Sequence, residues 1–188
     1  YELFREKANE LAYLSGIHAT LAWDQEVMMP PGGIEQRARQ RATLAALCHQ
    51  LLIDDELGSL LEVVASKFPD EARHSACAEL KRQRDRAVRL PASLVQELTE
   101  TCSLAYGAWV EAKRTSSFSI FAPWLDKVLR LKRQEASCLL TDEFDSPYEV
   151  LLDEFEPGAR VRQVAAIFDS VRPRLRTLLS RIDSSTKN

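Results

Sequence analysis

Apolar residues recur along this chain at intervals of three and four. In the first stretch Phe4, Ala8, Leu11, Leu14, Ile17 and Leu21 form such a series, the stripe a helix needs to face a core. It predicts a helix over about 2–22, ended by the Pro/Gly cluster at Pro30-Pro31-Gly32-Gly33. A second helix is expected from about Ile34 to Leu52 and a third from the cap signal Asp54-Asp55 to near Pro69. Pro69 and Asp70 open a fourth, with acidic residues early and basic residues late, as the helix dipole favours. Pro91 starts a fifth, carrying Leu94, Leu98, Ala105 and Trp109, and a sixth runs from about Pro123. In "SPYE", Ser146 is the expected N-cap, Pro147 the first helical residue and Glu149 the reciprocal partner. The last helix presents Val161, Val164, Phe168, Val171, Leu175, Leu178 and Ile182, which Pro173 bends without breaking.

Alternating β-branched runs are nearly absent and there are six glycines, so the fold class is all-α: a single helical domain over residues 1–188 of about seven to eight helices. A length of 188 residues suits one core. A net charge of −3 leaves no basic excess for a phosphate backbone, so no nucleic-acid partner is expected. No apolar run reaches the ~20 residues that span a bilayer, and the first residues lack signal-peptide regions, so no membrane partner is expected and the cytoplasm is the expected compartment. Cys48, Cys77, Cys102 and Cys138 fall singly and read as small buried hydrophobes. The chain begins at a tyrosine, which fits a trimmed or incomplete product.

A hydrolytic zinc site asks for two histidines one turn apart, as in His-Glu-x-x-His, and His18, His49 and His74 do not supply it. Only Glu71-x-x-His74 fits one arm of a di-iron bundle, and a metal site from His74, Cys77 and Cys48 or His49 is the weaker reading beside a buried thiol and a surface imidazole. There is no Gly-x-Ser-x-Gly and no phosphate loop, so no catalytic residue, metal ligand or cofactor is assigned within this chain. "KRQRDR" at 81–86 reads as a solvated helix face and "FSIFAPW" at 118–124 as packing at a helix junction rather than a recognition patch. The connection from Trp23 to Gly33 remains. Trp23 is expected to anchor it by burial, Asp24 to accept hydrogen bonds from backbone or an arginine, and Pro30-Pro31 to stiffen it.

"LAWDQEVMMPPGGIEQRARQRATLAALCH" resembles the Trp-Asp-Gln-Glu-Thr-Met-Met-Pro segment and following helix of the thermostable carboxypeptidase family, typified by carboxypeptidase Taq. "AYGAWVEAKRTSSFSIFAPWLDKVLRLKRQEA" resembles a second block of that family and "PYEVLLDEFEPGARV" a third, in the same order and at compatible spacing. Val27 stands where the family usually has threonine, and Ser117 and Glu149 where it has aspartate. The resemblance implies a helical amino-terminal part of a zinc metallocarboxypeptidase, forming part of the wall or cap of a substrate groove. Zinc, and the His-Glu-x-x-His helix that binds it, belong to later sequence in complete members. It makes Trp23 and Asp24 the groove candidates, with the missing catalytic half, or a second copy in a homodimer, as partner and peptide as substrate of the complete enzyme only. The alternative is a stand-alone helical interaction or dimerisation module derived from that family. An exposed apolar patch would mark a part awaiting its other half, and a polar cover or self-complementary face would mark the module.

Overall fold

The computed structural model describes residues 1–67 and 71–185, leaving aside the side chains at 67 and 71–74. The described residues form eight α-helices and no strand: α1 (Glu2–Val27), α2 (Ile34–Ile53), α3 (Asp55–Lys67), α4 (Glu71–Ala87), α5 (Ala92–Thr115), α6 (Phe118–Leu139), α7 (Pro147–Leu152) and α8 (Val161–Asp183). The start expected at Pro69 and Asp70 lies outside the described residues. Internal contacts gather the chain into two compact units, Tyr1–Leu139 and Leu140–Asn188.

In the first unit α1, α2, α5 and α6 pack in sequence, with the α3–α4 hairpin against α1 and α2. The inward face of α2 is Ala38, Ala42 and Ala46, a row of small side chains one turn apart that lets α5 approach closely. Gly107 of α5 serves the same approach, since a Cβ there would lie 3.3 Å from the Ile34 side chain. A second cluster joins Phe4 of α1 to Leu57, Leu61 and Val64 of α3 and Cys77 of α4. Lys7 fastens this end: its ammonium bonds Asp54 and lies 2.8 Å from Glu56. Those bonds push the Lys7 pKa up to about 12, and the same lysine holds the Asp54 carboxyl below its ordinary range. Asp54 also accepts the Glu56 N–H at 3.2 Å, capping α3 as its type predicts.

Two helices start or stop elsewhere than the pattern indicates. α1 continues through Trp23–Val27 because nothing before Pro30 disfavours helix, and Met28 and Met29 both donate to the Asp24 carbonyl at its end. α6 begins at Phe118, five residues before Pro123, which sits one turn inside and costs only the bond to the Ser119 carbonyl. Along α1 the inward face drifts off the apolar series. Phe4 and Leu11 are buried, but Ile17 is 50% exposed and the polar His18 and Gln25 point inward instead. Of the cysteines Cys77 is buried, Cys48 and Cys138 are half-buried, and Cys102 is exposed, against expectation.

In the second unit Ser146 caps α7 as its sequence predicts, accepting the Glu149 N–H at 3.4 Å. The reciprocal arm differs. Glu149 is 1% exposed and its carboxylate takes the N–H of Asp145 at 2.9 Å and of Val161 at 2.8 Å. These bonds hold its carboxyl below the ordinary range, and they tie the start of α7 to the start of α8. α8 differs most from expectation: none of its residues is buried, and Phe168 is 62% exposed.

Candidate functional site

The corner between α1 and α2 holds Trp23 and Asp24. Both lie in the last turns of α1 rather than in the connection, and Trp23 is 58% exposed, so it does not anchor the corner by burial. Its neighbour does the anchoring. Asp24 Oδ2 lies 2.6 Å from Arg37 Nη2, and Arg37 Nη1 donates to the Leu21 carbonyl at 2.8 Å. The Arg37 Nε reaches Gln40 Oε1 at 3.1 Å. One guanidinium thus grips the last turn of α1 at both main chain and side chain, while Pro30 and the 3-10 turn Pro31–Gly33 reverse the backbone. The Asp24 carboxylate thus fastens the corner through Arg37.

Behind this corner runs a buried polar bridge between α1 and α5. Ser103 Oγ donates to Gln25 Oε1, and Gln25 Nε2 donates back to the Ser103 carbonyl at 3.3 Å. Arg41 of α2 donates to the same Gln25 oxygen at 3.3 Å. Burial, then the Arg41 charge, lowers the His18 pKa; burial likewise lowers the pKa of Arg41. The bridge fixes how α1, α2 and α5 pack, and the Trp23 indole beside it is exposed. Sequence reading foresaw an arginine for Asp24 but not Gln25 or Ser103, whose polar types mark them as surface residues. The four-residue spacing of Ala38, Ala42 and Ala46 is the signal that places Arg37 and Arg41 beside the buried row.

Among the described residues no three His, Cys, Asp or Glu side chains converge as metal ligands. The side chain of His74, invoked with Cys77 for a metal, lies outside the described residues. His49 Nε2 lies 3.0 Å from the carbonyls of Ala87 and of Leu90, clasping the end of α4. The described side chains alone thus assemble no zinc donor set. The segment "FSIFAPW" is not core. Phe118 is 65% exposed and, with Trp109, Ala112, Lys113, Ser116 and Phe121, lines an open notch of about 370 Å³. The basic run 81–86 is a solvated face at Lys81 and Arg82, paired with Asp85 and Glu79, but Arg84 turns inward. No helix among the described residues is long and apolar enough to cross a membrane.

Comparison with known proteins adds a family. The family described as carboxypeptidase Taq (M32) metallopeptidase matches residues 3–188. "Thermostable carboxypeptidase 1" of Thermus thermophilus is 34% identical over 198 residues, which take in 100% of this chain and 39% of that protein. Its namesake in Pyrococcus furiosus is 37% identical over 87% of this chain and 33% of its own length. Among solved structures, that of BsuCP superposes with a TM-score of 0.89 at 26% identity, over 98% of this chain and 37% of that one. The structure of the Pyrococcus furiosus carboxypeptidase superposes at 0.77 with 33% identity. The chain thus spans well under half the length of the relatives it matches.

Proposed function

The chain belongs to the carboxypeptidase Taq (M32) metallopeptidase family, and on that premise we propose that it is the amino-terminal, groove-forming part of a zinc metallocarboxypeptidase that removes carboxy-terminal amino acids from peptides. One observation carries the reading: the match runs nearly end to end through this chain yet occupies 39% of the Thermus protein. The 188 residues contain no His-Glu-x-x-His, and the described side chains offer zinc no donor set. In this reading zinc and the water it activates belong to the portion of the relatives' length that this chain does not span. The chain's own residues contribute shape: Arg37 and Asp24 lock the α1–α2 corner, and Trp23 stands at the groove wall. The reading includes a single helical domain over 1–188, built of the two compact units, and a cytoplasmic location. It is tested by incubating the 188-residue chain with zinc and an amino-blocked dipeptide. No release of the carboxy-terminal amino acid is expected, and zinc-dependent release at an enzyme-like rate overturns the proposed division of labour.

A further inference from the structure

α8 carries an apolar face none of whose residues is buried, with Val164 alone partly covered. Its residues alternate in steps of three and four from Val161 through Phe168 and Leu175 to Ile182, the spacing of a helix–helix seam. Ile167 and Leu179 widen it to an arc of about 120° at 100° per residue. Pro173 falls on the opposite side of that wheel, so the seam is continuous past it. At 3.6 residues per turn, both edges of the seam are cationic, with Arg174 and Arg181 along one and Arg172 and Arg176 along the other. Of the two acids on the helix, Asp169 is taken by Arg172 at 2.9 Å and Asp183 is its last residue. Phe168, Val171, Leu175 and Leu179 with Arg172 and Arg176 frame a shallow groove of about 360 Å³.

Charge selects what lies on such a face. A second α8, in either direction, sets arginine edges against arginine edges, and like charges flanking a seam oppose pairing. An anionic lipid surface would attract the arginines, but interfacial helices draw on Trp, Phe and Leu, whereas this seam is half β-branched with one aromatic. α8 also lies wholly inside the family match at 3–188, so it is an element of the family and not an appendage. We infer that this face is covered by a helix with a complementary apolar seam edged by Asp or Glu, contributed by the portion of an M32 carboxypeptidase beyond the region this chain spans. The inference rests on the reading above and adds to it the docking element and its charge.

The test places a photo-reactive phenylalanine analogue at Leu175 of the protein in its native source and maps the adduct by mass spectrometry. The expected adduct is a segment of an M32 carboxypeptidase beyond the matched region, helical in pattern and edged by acidic residues. R174Q/R176Q is expected to lower its yield about fivefold, as the loss of two rim ion pairs allows. R162Q/A166E, which shifts net charge equally on the far side of the helix and out of reach of the rim arginines, leaves the yield unchanged. An adduct to a second α8, to lipid, to a segment without acidic edges or to an unrelated protein overturns the inference, as does no adduct. Zinc-dependent peptidase activity of the same preparation is read in parallel. A lipid adduct on an active peptidase sinks the docking and leaves the function, whereas an acidic-edged adduct without activity does the reverse.

Discussion

Replacing Gly58 by alanine is expected to destabilise the chain, although alanine is the better helix former. Gly58 is the fourth residue of α3, and a Cβ there would lie 2.6 Å from Arg84 Nη2 and 2.8 Å from its Cζ and Nε. Ordinary contact needs roughly 3.5 Å, so the guanidinium must move by close to ~1 Å. Arg84 is not free to do so without loss. Its Nη1 donates to the Leu52 carbonyl at 2.6 Å, at the end of α2, and to the Asp54 carbonyl at 2.7 Å, which also accepts the Gly58 N–H at 3.1 Å. Helix propensity favours alanine by up to about 1 kcal/mol. Each charge-assisted bond is worth about 1.5–3 kcal/mol when its partner is left unsatisfied. Loss of the bond to the Leu52 carbonyl outweighs the propensity gain, for a net destabilisation of about 1–2 kcal/mol. Urea unfolding of Gly58→Ala in wild-type and Arg84→Met backgrounds separates the two effects, because without Arg84 the same substitution is expected to stabilise by up to about 1 kcal/mol. A substitution of the same sign and size in both backgrounds would refute the reasoning.

Three further outcomes follow from the fastenings of the first unit. Lys7→Met is expected to lower the melting temperature across the neutral range. The wild-type advantage is complete below the lysine's ordinary value of 10.5 and lost as pH rises through about 12. It is lost again on acidification through the depressed range of Asp54, so a difference that persists unchanged at pH 2 would contradict the pairing. His49→Ala removes the clasp on the Ala87 and Leu90 carbonyls and leaves a void, costing about 2–4 kcal/mol in urea unfolding. Asp24→Asn keeps the shape of the corner but weakens its grip on Arg37, and should cost about 1 kcal/mol and speed amide exchange at Met28 and Met29. Equal exchange in both proteins would show that the corner holds without the ion pair.

The all-α class was legible because periodicity reports directly on backbone geometry. Pro91, Ser146 and Asp54 mark helix starts through their own side chains, and each does so in the structure. What was not legible depends on what a residue meets. Trp23 reads as an anchor by its size, yet the last turn of α1 leaves it 58% exposed and gives the anchoring to Arg37. Arg84 lies in a run that reads as solvated, and only the crossing of α3 and α4 brings it to the end of α2. The stripe on α8 has the period of a core face, but period reveals which side of a helix seeks cover and not whether the cover is present in the same stretch of chain. Phe118 misleads for the same reason.

The central claim is that these residues work as one part of a longer peptidase. The intact mass of the endogenous protein, detected in its native source with an antibody against this segment, tests that most directly. The account predicts a polypeptide well above the mass of these 188 residues, of a size near that of the relatives of which this chain spans 33–39%. A polypeptide of the 188-residue mass, with no M32 catalytic portion bound to it, would contradict the account and leave a helical module with a role of its own.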